Sequence, residues 1–153
     1  PRIDIQDLQQ RTGAIASAHA EVRLVYLFGS QVSGETGPCS DVDLRVLLAR
    51  DAPVARLRGE LAHLLSASLG GLPVDVVILN QAPVELAYAV IAQGTSLYEV
   101  SRAERVEYEV DVMSRYGDFF AVLAGTAPGN PGRPPARRYP RVPRTRSRPL
   151  PTT

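Results

Sequence analysis

The sequence predicts an α/β (α+β) protein in which helices flank a small mixed β-sheet. Two observations support this prediction. Short runs rich in Val, Leu and Ile have the length and composition of strands, and segments with helical spacing of apolar residues separate them. The chain has 153 residues, of which 44% are hydrophobic, so it can form one domain with a substantial core.

The first part of the chain predicts a helix followed by two strands. Apolar residues at helical spacing predict the helix over 4–18, and β-branched and aromatic residues predict a strand over 22–28. A short helical turn is expected over 30–34. The second strand is expected over 41–48 and carries two acidic residues near its start.

The middle of the chain predicts a helix, a third strand and another helix. Asp51 is a candidate N-cap for a leucine-rich helix over 52–68, which two consecutive glycines end. A third apolar strand follows over 74–79. A proline in the first turn then favours a helix over 83–91, and 94–98 is a short strand or extended segment.

A long helix is predicted near the end of the regular structure. Ser101 and Glu104 form a capping-box pattern that opens a helix to about residue 123. Tyr108 and Tyr116 lie eight residues apart, close to one helical face, which indicates packing or a partner surface. Four acidic residues on this helix are interpreted as a solvated face, with contact to a basic partner as the alternative: Glu104, Glu107, Glu109 and Asp111.

Charge divides the chain into an acidic body and a basic tail. All 17 basic residues are arginines, and seven of them follow residue 125. The other ten lie in residues 1–125 together with all 16 acids, so this part of the chain has a formal charge of −6. We predict a domain over 1–125 and a disordered or extended Pro/Arg-rich tail over 126–153. The tail is a passive extension, a ligand for an acidic surface or an RNA-binding segment. The acidic body is not typical of a nucleic-acid-binding protein.

The sequence favours a cytoplasmic location without membrane contact. No apolar stretch approaches the roughly 20 residues that cross a bilayer. The single cysteine cannot form an internal disulfide, which agrees with a reducing compartment.

One spacing indicates chemistry: Gly29 and Ser30, ten residues, then Asp41 and Asp43. The Gly-Ser turn after a strand can direct backbone N–H groups and a hydroxyl at phosphates. Because side chains alternate along a strand, Asp41 and Asp43 face the same side. Adjacent carboxylates repel unless a cation lies between them, and Mg²⁺ prefers such oxygen ligands.

Asp75, inside the third apolar strand, is a candidate third ligand. If this strand lies beside the one carrying Asp41 and Asp43, the three carboxylates converge. Two Mg²⁺ ions can then clamp the attacking and leaving oxygens of a nucleotidyl transfer. Asp75 would hold the metal near the acceptor hydroxyl and help to remove its proton. The alternative is that these aspartates are only the solvent-facing side of an amphipathic strand and an edge.

Arg45 follows on the same face as Asp43. We interpret it as the partner of a neighbouring acid, with contact to a phosphate as the alternative.

The motif G-S-x10-D-x-D on a strand–turn–strand, followed by an acid in an apolar strand, resembles the nucleotidyltransferase superfamily related to polymerase β. Gly29, Ser30, Asp41, Asp43 and Asp75 match its motif positions. The length of the chain and its last helix are similar to the minimal nucleotidyltransferases, antitoxins of the MntA type that are encoded beside HEPN-domain toxins. The resemblance covers roughly residues 12–123.

This resemblance implies a polymerase β-like fold, ATP as the donor, Mg²⁺ as the cofactor and transfer of AMP to a tyrosine hydroxyl of a partner HEPN toxin. Modification would silence the toxin. Two alternatives stay open: an antitoxin that neutralises its toxin by binding alone, and a small-molecule nucleotidyltransferase acting on an aminoglycoside-like hydroxyl.

Overall fold

The computed structural model describes residues 4–29 and 42–125 as a mixed sheet between helices. The elements are α1 (Ile5–Ser17), β1 (Val22–Phe28), β2 (Val42–Leu48), α2 (Val54–Ser68), β3 (Val74–Ile78), a short 3-10 helix (Leu79–Gln81), α3 (Val84–Gln93), β4 (Thr95–Glu99) and α4 (Arg102–Leu123). The predicted fold class is confirmed. The predicted turn over 30–34, the start of the second strand at Asp41 and the predicted tail lie outside the described residues.

Within the described residues, four strands are ordered β3-β2-β1-β4, so β3 and β4 are the edges of this sheet. β1 pairs antiparallel with both β2 and β4, whereas β2 and β3 are parallel. A parallel pair needs a crossover connection, and α2 provides it between β2 and β3. No helix in the described part of the chain is long and apolar enough to span a membrane.

Helices cover both faces of the sheet. On one face, α1 and α2 pack on β-strand residues through a core that includes Leu8, Leu57 and Leu61. On the other face, α3 and α4 cover Leu24 and Tyr26 of β1. Each fully buried leucine contributes about 1.5–3 kcal/mol, so these two cores hold the sheet in place.

The start of α2 corrects one prediction. The helix begins at Val54 with Pro53 at the N-cap position, where no side chain caps it, so the assignment of Asp51 as N-cap is wrong. A residue that precedes a proline disfavours helical backbone angles, and the helix therefore starts after Pro53. Its end agrees with the prediction: Gly70 and Gly71 have φ values of +72° and +90°.

The predicted cap of α4 is present. The Ser101 hydroxyl accepts a hydrogen bond of 3.2 Å from the Glu104 backbone N–H. The Glu104 carboxylate does not lie free in solvent, because Arg23 of β1 donates to it from Nε at 2.9 Å.

The interpretation of the acidic residues of α4 as a solvated face is wrong for most of them. Glu109 accepts a hydrogen bond of 2.6 Å from the Tyr26 hydroxyl. Asp111 is buried and accepts from Arg115 at 3.1 Å, and burial raises the pKa of its carboxyl group. These acids face the sheet and neighbouring arginines because α4 packs across the sheet, which the charge pattern alone does not indicate.

The aromatic residues of α4 confirm the packing interpretation. Tyr108 is buried in the core between the sheet and α4. Tyr116 stacks on Tyr88 of α3, with ring centroids 4.0 Å apart.

Candidate active site

The turn that follows β1 is built on a glycine that no other residue can replace without strain. Gly29 has φ +96°, a region that L-residues rarely adopt. A Cβ atom at this position would lie 2.6 Å from Oδ2 of Asp43. The close approach follows from the ladder, in which Phe28 is the partner of Asp43. The carboxylate of Asp43 therefore rests directly against the turn.

The second and third strands bring two acidic residues together. In the parallel register of β2 and β3, Asp43 is the partner of Asp75. Neighbouring strands lie about 4.8 Å apart and side chains alternate, so both carboxylates project from the same face. The side chain of Asp75 is 60% exposed, which leaves its carboxylate open to a substrate. The expected convergence of these two acids is confirmed. Asp41 and Ser30 lie outside the described residues.

Arg45 supplies a positive charge to the same face of the sheet. Its Nη1 lies 4.0 Å from Oδ2 of Asp75, and its guanidinium carbon lies 5.3 Å from the ring centroid of Phe28. Its side chain is only 12% exposed, and its buried Nε has no hydrogen-bond partner among the described residues. The geometry supports the interpretation of Arg45 as the partner of an acid. At this distance from an exposed carboxylate, the pair contributes little to stability.

Asp43 and Asp75 are two of the three residues predicted as metal ligands. Within residues 4–29 and 42–125, no group of three His, Cys, Asp or Glu residues is placed to hold a metal ion. The two neighbouring carboxylates of Asp43 and Asp75 nevertheless provide the hard oxygen ligands that Mg²⁺ prefers. The chemistry of the donors fits the predicted ion, and Asp41 would be the third ligand.

A groove of about 590 Å³ runs along β3, and sequence reasoning did not find it. Arg58, Gly59 and Ala62 of α2 line one side, and residues from the 3-10 helix to the start of α3 line the other. Asp75 also lines this groove, which therefore opens directly onto the candidate site. The sequence predicts the third apolar strand but not its position at the sheet edge, because that position depends on the strand order. The groove could therefore not be predicted from the sequence.

A comparison with known families agrees with this geometry. Residues 10–103, more than half of the chain, match the family described as "Polymerase beta, Nucleotidyltransferase". The chain belongs to this nucleotidyltransferase family. The match spans β1, β2 and β3 and so includes Gly29, Asp43 and Asp75.

The similar proteins include an adenylyltransferase and chains from toxin–antitoxin complexes. The protein adenylyltransferase MntA of Shewanella oneidensis is 34% identical over 96 residues, which cover 63% of this chain and 67% of MntA. A crystal structure of a toxin–antitoxin with AMP-PNP contains a chain with TM-score 0.63 and 27% identity, covering 80% of this chain and 94% of that one. A structure of the tri-AMPylated Shewanella oneidensis HEPN toxin in complex with its MNT antitoxin matches with TM-score 0.59, 27% identity and the same two coverages. The predicted resemblance to the minimal nucleotidyltransferases is confirmed.

Proposed function

We propose that this chain is an antitoxin that transfers AMP from ATP to a tyrosine hydroxyl of a cognate HEPN-domain toxin. The observation that carries the proposal is the placement of Asp43 between the Gly29 turn and Asp75 in a nucleotidyltransferase chain. Support for the acceptor comes from relatives, of which one is named a protein adenylyltransferase and another is bound to an AMPylated HEPN toxin.

Different residues bind the ATP donor and activate the acceptor hydroxyl. The turn at Gly29 and Ser30 binds the phosphates of ATP through backbone N–H groups and a hydroxyl. Asp41, Asp43 and Asp75 are the proposed ligands of two Mg²⁺ ions, which when bound neutralise phosphate charge and stabilise the leaving pyrophosphate. Arg45 lies on the same face and balances the carboxylates when the site holds no cation.

The transfer itself is a substitution at the α-phosphorus. The acceptor tyrosine oxygen forms a bond to this phosphorus, the bond to the bridging oxygen breaks, and pyrophosphate leaves. The exposed carboxylate of Asp75 accepts the hydroxyl proton, since it lies at the open side of the site. The products are an AMP–tyrosine ester on the toxin and pyrophosphate.

The intact mass of the HEPN-domain toxin tests the proposal. The toxin is incubated with this protein, ATP and Mg²⁺, and we expect a gain of one or more AMP units. Asp43→Asn keeps the shape of the side chain but removes its charge, and we expect it to abolish the gain. Asp51→Asn, which removes a carboxylate from an exposed loop position, is the matched control and should transfer normally.

Three results would contradict the proposal. Full transfer by Asp43→Asn would exclude the proposed role of this carboxylate. A stable complex of wild-type protein and toxin with no gain in mass would favour neutralisation by binding alone. Transfer to an aminoglycoside without any partner protein would favour the small-molecule alternative.

A further inference from the structure

β3 is an edge strand whose outer side has no partner strand within the described residues. The Val42 N–H donates to the Pro73 carbonyl at 3.1 Å, which sets the direction of the ladder between β2 and β3. Backbone groups alternate along a strand, so Asp75 and Val77 direct their N–H and C=O groups toward β2. Val76 and its neighbours at 74 and 78 direct theirs to the open edge.

The composition of β3 makes this open edge unusual. Four of its five residues are Val or Ile, and Asp75 is its single charge, whereas the other edge strand, β4, carries Thr95, Ser96 and Glu99. Proteins usually protect edge strands with charges, prolines or covering segments, because a free apolar edge pairs readily with another strand. An unprotected edge of this kind is typical of a surface that accepts an added strand.

The groove along this edge has the dimensions of a site for an extended polypeptide. Its floor is β3, which is about 17 Å long at the usual rise of a strand. α2 forms one wall with Gly59 and Ala62, and Pro83 and Leu86 belong to the other. The walls stand on opposite faces of the sheet, so a strand added between them continues the sheet.

Asp75 connects the groove to the proposed chemistry. It lines the groove and is also the partner of Asp43 across the ladder. The side chains of directly opposite residues in adjacent strands lie about 5 Å apart on the same face. A tyrosine in a strand added to β3 would therefore present its hydroxyl beside the carboxylate that accepts the proton.

We infer that the acceptor segment of the toxin binds as an extended strand along the free edge of β3, in the groove between α2 and α3, and so delivers its hydroxyl to Asp75. The inference rests on the proposed function and specifies how its protein substrate is held. Main-chain hydrogen bonds to β3 supply affinity that does not depend on the acceptor sequence, and the groove walls select side chains.

A bulky side chain at Gly59 tests the groove. A Cβ at this helical glycine meets no atom within 4 Å, so Gly59→Trp projects toward the groove without disturbing the core. We expect kcat/KM for the toxin to fall about tenfold or more, because the larger side chain excludes the acceptor strand from the groove. The affinity for AMP-PNP should stay unchanged. Gly59→Ala should transfer normally. Gly13→Trp adds the same side chain at an open helical glycine of α1, outside the groove, and should also transfer normally.

Residue-resolved hydrogen exchange gives a readout that does not require transfer. Exchange is measured for the protein alone and for the protein mixed with the toxin, AMP-PNP and Mg²⁺. We expect the toxin to slow the exchange of the outward-facing amides of Val76 and Ile78. The amides of Asp75 and Val77 already belong to the ladder with β2 and serve as internal controls.

Each other outcome contradicts either the inference or the proposed function. Normal transfer by Gly59→Trp, or unchanged exchange at Val76 in the complex, would exclude the groove as the acceptor site while leaving the proposed function intact. Slow exchange of the Val76 amide in the free protein would indicate that a segment of the chain itself occupies the groove. Weaker AMP-PNP binding by Gly59→Trp would indicate that the nucleotide, and not the toxin, binds in the groove. If wild-type protein protects Val76 with the toxin but transfers no AMP, the groove binds the toxin and the proposed activity is wrong.

Discussion

Replacing Gly29 by alanine tests whether contact between the turn after β1 and Asp43 sets the geometry of the site. The substitution has two separate effects. It places a side chain at φ +96°, and it puts a Cβ 2.6 Å from Oδ2 of Asp43. Gly71→Ala separates them, because Gly71 has φ +90° but open space around a Cβ.

The magnitudes follow from this geometry. A left-handed backbone costs an L-residue about 1–2 kcal/mol, which lowers the melting temperature of a domain of this size by roughly 4–8 °C in either variant. In Gly29→Ala, moving Oδ2 from 2.6 Å to the 3.4 Å of an ordinary contact also displaces the Asp43 carboxylate by about 0.8 Å. Misplacing a catalytic group by about 1 Å can reduce a rate about 100-fold, so we expect Gly29→Ala to lose about tenfold to 100-fold in transfer.

The assay combines thermal melting with the rate of AMP transfer to the toxin, measured by intact mass well below the melting temperature of each variant. We expect similar melting temperatures for the two variants and a slower transfer only in Gly29→Ala. Wild-type rates in Gly29→Ala, or equal losses of rate in both variants, would refute the reasoning that the turn positions Asp43.

Three further predictions concern other residues. Asp75→Asn should lower the transfer rate at least about 100-fold without changing the melting temperature, because the exposed side chain supports chemistry and not the fold; an unchanged rate would contradict this. Urea unfolding should show a loss of about 1 kcal/mol in the stability of Tyr26→Phe, because the Tyr26 hydroxyl donates to a carboxylate. Tyr108→Phe should lose none, because the buried Tyr108 hydroxyl has no hydrogen-bond partner within residues 4–29 and 42–125. Equal losses in the two variants would be inconsistent with this difference. Hydrogen bonds to the Ile15 carbonyl and to a glutamate of α2 raise the pKa of His19 above 6.5. Wild-type protein should therefore be more stable than His19→Gln below about pH 6.5, where His19 is protonated. This difference in stability should disappear as the pH rises through the raised pKa. A difference that grows with pH would contradict the prediction.

Most secondary structure could be predicted because local patterns determine it. The strand over Val22–Phe28 agrees residue for residue with the prediction, since a run of β-branched and aromatic residues has few other stable conformations. The two errors have different causes. Pro53 moved the start of α2 through a local effect on the residue before it. The acids of α4 contact Arg23 and Tyr26 of β1, which are distant in the sequence, so local patterns do not show these contacts.

The sequence by itself determined which groups are available for chemistry at this site. Alternation along a strand predicts that Asp41 and Asp43 share one face, and the glycine before Ser30 predicts a turn, because both properties depend on neighbouring residues in the chain. Only the tertiary structure decided where these groups meet. The pairing of Asp43 with Asp75 and the position of β3 at the edge of the described sheet both depend on strand order. That order is set by which apolar faces the helices bury, a long-range property that no local pattern contains.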